Sequence, residues 1–136
     1  MIKIDKNRIA EIAVRYHFSL VVLFGSQATG FTHKESDVDV AFLSENKMSF
    51  EDEVSLNTDL TEVFKNDKVS TVNFRKAPPL LLKQIVQNAK VLYEKTPHLF
   101  DDMLLYALRT YEEAEPLFRL REEYLKRRIS EYKYVG

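Results

Sequence analysis

Two aspartates, Asp37 and Asp39, stand inside an apolar alternation formed by Val38, Val40 and Phe42. Asp is depleted in strands, so two of them in one strand-like run call for a reason. Side chains at i and i+2 share a face of a strand, which puts both carboxylates on one side and the valines on the other. Like charges at that spacing raise each other's pKa unless something positive lies between them. A divalent cation is the usual remedy. Carboxylate oxygens suit Mg²⁺, whose remaining positions go to water and phosphate oxygens. One metal can activate an attacking oxygen while another supports a departing pyrophosphate. Taken by itself, D-x-D is equally compatible with an edge strand carrying two solvated acids.

A second feature lies upstream. The apolar run Leu20-Val21-Val22-Leu23-Phe24 ends at Gly25, followed by Ser26 and Gln27-Ala28-Thr29-Gly30. Glycine occurs only at 25, 30 and 136, so two of three fall within six residues. Glycine lets backbone approach a ligand closely, and Ser adds a hydroxyl beside free N–H groups. Such a turn can cradle phosphates. For a lone Gly-Ser, an ordinary strand-ending turn is the more frequent case.

The elements that must position these residues follow from periodicity. Asp5 caps a helix to about Tyr16, with Ile9, Ile12, Ala13 and Tyr16 on one face. Residues 20–24 read as a buried strand and 38–42 as a second. Ser49 with acids at 51 to 53 opens a helix to about Lys65. Val69 to Phe74 is a third strand. Pro78 and Pro79 suit the first turn of a helix ending near Asn88. Val91-Leu92-Tyr93 is a short fourth strand. Thr96-Pro97 reads as the cap and first residue of a long helical tail, with a kink or break expected ahead of Pro116. The order implies an α/β or α+β domain on a small sheet.

The bulk properties set bounds. A chain of 136 residues fits one domain. Hydrophobic residues at 45% and charged residues at 30% describe a globular chain, not a disordered one. A net charge of −1 provides no basic field for nucleic acid, and direct nucleic-acid binding is not expected. The lack of cysteine excludes disulfides, thiolate metal sites and Cys nucleophiles. The charged start, Met1-Ile2-Lys3-Ile4-Asp5-Lys6, lacks an apolar signal core, and no run approaches the ~20 apolar residues of a membrane span. A soluble cytoplasmic protein without a membrane partner is the expectation.

Gly25-Ser26, ten intervening residues and Asp37-Val38-Asp39 together form the G-S-x10-D-x-D signature of polymerase-beta-like nucleotidyltransferases. Ala28, Gly30 and Ser36 stand where that family often has them. The run GSQATGFTHKESDVDVAF resembles the minimal nucleotidyltransferase (MNT) branch, and the resemblance continues through residues 69–79 and 91–94. It implies a small mixed sheet flanked by helices, with a nucleotidyltransferase domain over 1–95 and a helical extension over 96–136 packed on it. Gly25 and Ser26 would bind nucleotide. Asp37 and Asp39 would be catalytic and would bind Mg²⁺, with ATP as substrate. Members this short resemble the antitoxins of HEPN/MNT toxin–antitoxin pairs, which silence a HEPN ribonuclease by adding AMP to a tyrosine. Neutralisation by binding alone and transfer to a small-molecule acceptor are the competing readings.

The sequence also departs from the family pattern. Active members usually carry a third carboxylate in a stretch written V-D-x-V-D-L. Here that stretch is Val69-Ser70-Thr71-Val72-Asn73-Phe74, with Ser70 and Asn73 at the acidic positions. Asp67 lies just upstream but would need a different register. The expectation is a vacant third site with activity reduced or lost and nucleotide binding retained. Relatives often carry a basic residue near the Gly-Ser turn, and Lys34 is the candidate here.

His17, His33 and His98 have no metal-site spacing, and Ser19 belongs to no triad. In the tail, Phe100, Leu104, Ala107, Leu108 and Tyr111 form a stripe expected to pack on the core. Phe118, Leu125, Ile129 and Tyr132 form another, beside Arg119, Arg121, Lys126, Arg127, Arg128 and Lys133. That second stripe suits docking on a partner protein.

Overall fold

In the computed structural model, residues 4–25 and 37–135 are described. Helix α1 (Lys6–Arg15) begins where the Asp5 carboxylate accepts from the N–H groups of Asn7 and Arg8. Strand β1 (Phe18–Phe24) follows, then β2 (Val38–Ser44). Helix α2 (Phe50–Phe64) opens on a capping box between Ser49 and Asp52, each side chain serving the other's backbone N–H. It closes on Lys65 in the left-handed region. Strand β3 (Val69–Asn73) runs into a 3₁₀ turn (Phe74–Lys76). Helix α3 (Pro79–Gln87), β4 (Lys90–Glu94) and α4 (Leu99–Val135) complete the order.

The strands form one mixed sheet in the order β3-β2-β1-β4. β1 is antiparallel to β2 and to β4, while β2 and β3 are parallel. A parallel pair needs a crossover, and α2 supplies it. β1 is apolar from Leu20 to Phe24 because it is buried on both faces. Phe18, Val21 and Leu23 face α1 and α2 together with Val38, Val40, Phe42 and Val69. Leu20 and Val22 face α3 and the start of α4 with Ala41, Ile85 and Ala107. The Phe18 and Phe42 rings stack at 4.4 Å across the first face. The Tyr16 hydroxyl lies 2.7 Å from both Ser55 Oγ and Asp59 Oδ2, tying α1 to α2.

The last helix departs from expectation in three respects. It begins at Leu99, because Glu94 Oε2 accepts from Phe100 N at 2.9 Å and does the capping assigned to Thr96. His98, at φ 66°, ends the turn ahead of it. Pro116 does not break it: α4 runs through that residue. The carbonyl that Pro116 leaves without a donor belongs to an exposed stretch, where water can satisfy it. Of the first stripe, Phe100, Leu104 and Ala107 pack on the second core face. Leu108 is exposed instead, and Tyr111 sits under the Lys83 ammonium, 3.9 Å from the ring centroid. Phe118, Leu125, Ile129 and Tyr132 are 36 to 69% exposed. No helix among the described residues is long and apolar enough to cross a membrane.

Candidate active site

The register of β1 on β2 pairs Phe24 with Asp39. The next residue, Gly25, is thereby brought against that acid. Its φ is +73°, in the left-handed region. A Cβ added there would collide with Asp39 Oδ2 and lie 3.4 Å from Cγ. Only glycine meets both demands, the positive φ and the close approach. The result is bare backbone in contact with a carboxylate, with the Asp39 oxygen standing where a Cβ would be.

Val38 is fully buried against α1 and α2, so the residues on either side of it face the other way. Asp37 and Asp39 therefore share the face that carries Ala41 further along β2. Asp37 is exposed and Asp39 half-buried. Burial, and then the neighbouring charge of Asp37, raise the Asp39 pKa above its ordinary value. No cation among the described residues offsets either effect. Two hard oxygen donors, sharing a face and uncompensated, beside backbone kept open by glycine, fit a hydrated Mg²⁺ that takes phosphate oxygens.

Of the residues singled out for nucleotide and metal, the structure brings together Gly25, Asp37 and Asp39. Ser26 lies outside the described residues, as do Gln27, Ala28, Thr29, Gly30, His33, Lys34 and Ser36.

The two substituted acidic positions on β3 separate. Ser70 pairs in parallel register with Asp39 and shares its face. Asn73 pairs with Phe42, on the opposite face, and its Oδ1 accepts from Arg75 N at 3.0 Å to cap the 3₁₀ turn. Of the two, only Ser70 lies on the face of Asp37 and Asp39. Asp67 is exposed in the turn before β3. Among the described residues no group of three His, Cys, Asp or Glu side chains gathers to hold a metal. The structure adds Lys68, a residue the sequence reading passed over. Its carbonyl accepts from Val38 N at 2.8 Å, and the register carried back one residue sets it beside Asp37. The signal was the parallel pairing, which periodicity does not reveal.

The discounted residues that are described, His17, His98 and Ser19, stay away from the site. His17 ends the turn between α1 and β1, His98 pairs with Asp101, and Ser19 Oγ donates to the Leu43 carbonyl.

The chain was compared with known proteins. No curated protein sequence matches it. Several solved toxin–antitoxin structures share its fold. One, crystallised with AMP-PNP, is 22% identical with a TM-score of 0.77, covering 90% of this chain and 99% of the other. Another, of a tri-AMPylated HEPN toxin from Shewanella oneidensis in complex with an MNT antitoxin, is 20% identical with a TM-score of 0.70. It covers 89% of this chain and 95% of the other. The sequence profile described as "Polymerase beta, Nucleotidyltransferase" matches residues 7–98, from α1 to the threshold of α4. With the mixed sheet and with Gly25 set against Asp39, that match over well more than half of the chain places the protein in the polymerase beta nucleotidyltransferase family.

Proposed function

We propose that the chain is an MNT antitoxin that transfers AMP from ATP to a tyrosine hydroxyl of a HEPN ribonuclease and so silences it in the cytoplasm. The observation that carries the transferase part is Gly25 held at φ +73° against Asp39, a close approach of backbone to carboxylate that no other residue allows. Support for the partner and acceptor comes from the fold shared with toxin–antitoxin structures, one with AMP-PNP and one with an AMPylated HEPN toxin.

On this reading Gly25 and Ser26 receive the triphosphate through backbone N–H groups and the Ser26 hydroxyl. Asp37 and Asp39 hold Mg²⁺. When bound, Mg²⁺ supplies positive charge to the phosphoryl oxygens. The tyrosine oxygen bonds to the α-phosphorus. The bond from that phosphorus to the β-bridging oxygen breaks, and pyrophosphate leaves with the electron pair. The phenolic proton passes to water. Positioning and charge neutralisation do most of the work in such a transfer. Residues 1–95 form the transferase unit and 96–136 the extension. The exposed apolar half of α4 is the surface that meets the partner.

One observation favours a second reading, in which the fold neutralises its partner by contact alone: the position beside Asp39 holds Ser70 and no acid. Calorimetric titration with AMP-PNP and Mg²⁺ tests the main reading. Wild type binds, and the double variant Asp37→Asn, Asp39→Asn does not. Equal binding by both would remove the two acids from the proposed site.

A further inference from the structure

The face of β3 that adjoins the two aspartates can be read residue by residue. Val69 is buried against α1 and α2, whereas Val72 packs with Ala41 on the other side of the sheet. Alternation therefore assigns Ser70 to the Ala41 side, the face of Asp37 and Asp39. Next to the acids β3 presents a hydroxyl at 70 and an aliphatic side chain at 72, and no carboxylate. Ser70 is exposed.

We propose that this site takes a single divalent cation together with the triphosphate, not a pair, and that Ser70 sets that number. The inference rests on the nucleotidyltransferase reading above. Paired metals about 3.5–4 Å apart require anionic oxygens on both sides of a shared carboxylate. Neighbouring strands are about 4.8 Å apart, so the second cation of such a pair would lie between Asp39 and residue 70. Asp37 and Asp39 supply two negative charges, which one divalent cation balances. A second cation would meet a neutral hydroxyl, a poor substitute for carboxylate oxygen at a hard metal. The cation shared with the triphosphate is kept, and the acceptor hydroxyl reaches the α-phosphorus without a metal of its own.

Equilibrium dialysis with Mn²⁺ at saturating AMP-PNP, using the full chain, tests this. Wild type is expected to hold one Mn²⁺ per bound nucleotide and Ser70→Asp two. Asn73→Asp, on the opposite face, is expected to stay at one. Two Mn²⁺ in wild type would overturn the inference. So would one Mn²⁺ in a Ser70→Asp variant that circular dichroism shows to be folded and that still binds AMP-PNP. Failure of wild type to bind AMP-PNP would remove the nucleotidyltransferase reading itself, and the inference with it.

Discussion

Replacing Gly25 by alanine makes two demands that can be separated. The first is conformational. At φ +73° an L-residue costs roughly 1–2 kcal/mol more than glycine. The second is steric. The new Cβ falls on Asp39 Oδ2, with Cγ at 3.4 Å and Asp39 Cβ at 3.6 Å, so the carboxylate must leave its rotamer. An off-rotamer side chain costs about 0.5–1.5 kcal/mol. Together these give roughly 1.5–3.5 kcal/mol, and for a domain of this size a fall in Tm of roughly 5–14 °C. Asparagine tolerates the left-handed region but carries the same Cβ. Gly25→Asn should therefore recover much of the Tm while losing Mg²⁺–AMP-PNP affinity as fully as Gly25→Ala. Thermal melts followed by calorimetry on both variants provide the comparison. Wild-type affinity in Gly25→Asn would refute the argument that nucleotide binding needs bare backbone against an undisturbed Asp39 carboxylate.

Other consequences follow from the same geometry. Asp39 has a raised folded-state pKa, so its charged form opposes folding. That penalty is full above the raised value and is relieved as pH falls through it toward the unfolded value. In metal-free buffer Asp39→Asn should melt higher than wild type at neutral pH, with the gap closing in acid. A gap that widens on acidification would contradict the assigned cause. Leu60 is 2% exposed between α2 and the sheet, and Leu60→Ala should cost about 2–5 kcal/mol by chemical denaturation. Pro116 leaves one helix carbonyl without a donor, so Pro116→Ala should slow amide hydrogen exchange around residues 112–120, and unchanged exchange there would count against a helix running through it. Deleting residues 117–136 removes an exposed half-helix and should leave the sheet folded while weakening the complex with a HEPN-type partner; unchanged affinity would move the interface elsewhere.

Much of this molecule was legible before any coordinates. The strands announced themselves because β1 is a continuous buried apolar run and β2 sets Val38, Val40 and Phe42 on one buried face, and α1 and α2 because Asp5 and Ser49 are real caps. The site was legible through Gly25, Asp37 and Asp39, whose types are expensive where they stand unless they serve a ligand. What stayed hidden was tertiary. The register that sets Ser70 beside Asp39 and turns Asn73 away belongs to a parallel pairing that no local pattern records. Thr96-Pro97 has the residues of a helix start, yet Glu94 does the capping from the end of β4. Pro116 is a helix breaker by propensity, but the exposed carbonyl ahead of it can turn to water. Leu108 fitted a helical stripe whose outer edge reaches past the packed face.

The central claim is that these two acids serve adenylyl transfer, and intact-mass spectrometry of the partner tests it most directly. A HEPN-type protein is incubated with this chain, ATP and Mg²⁺. The account predicts a gain of one or more AMP units, lost when Asp37 and Asp39 are both changed to Asn. An unchanged mass in a complex that forms tightly would contradict it and leave a fold that neutralises by binding alone.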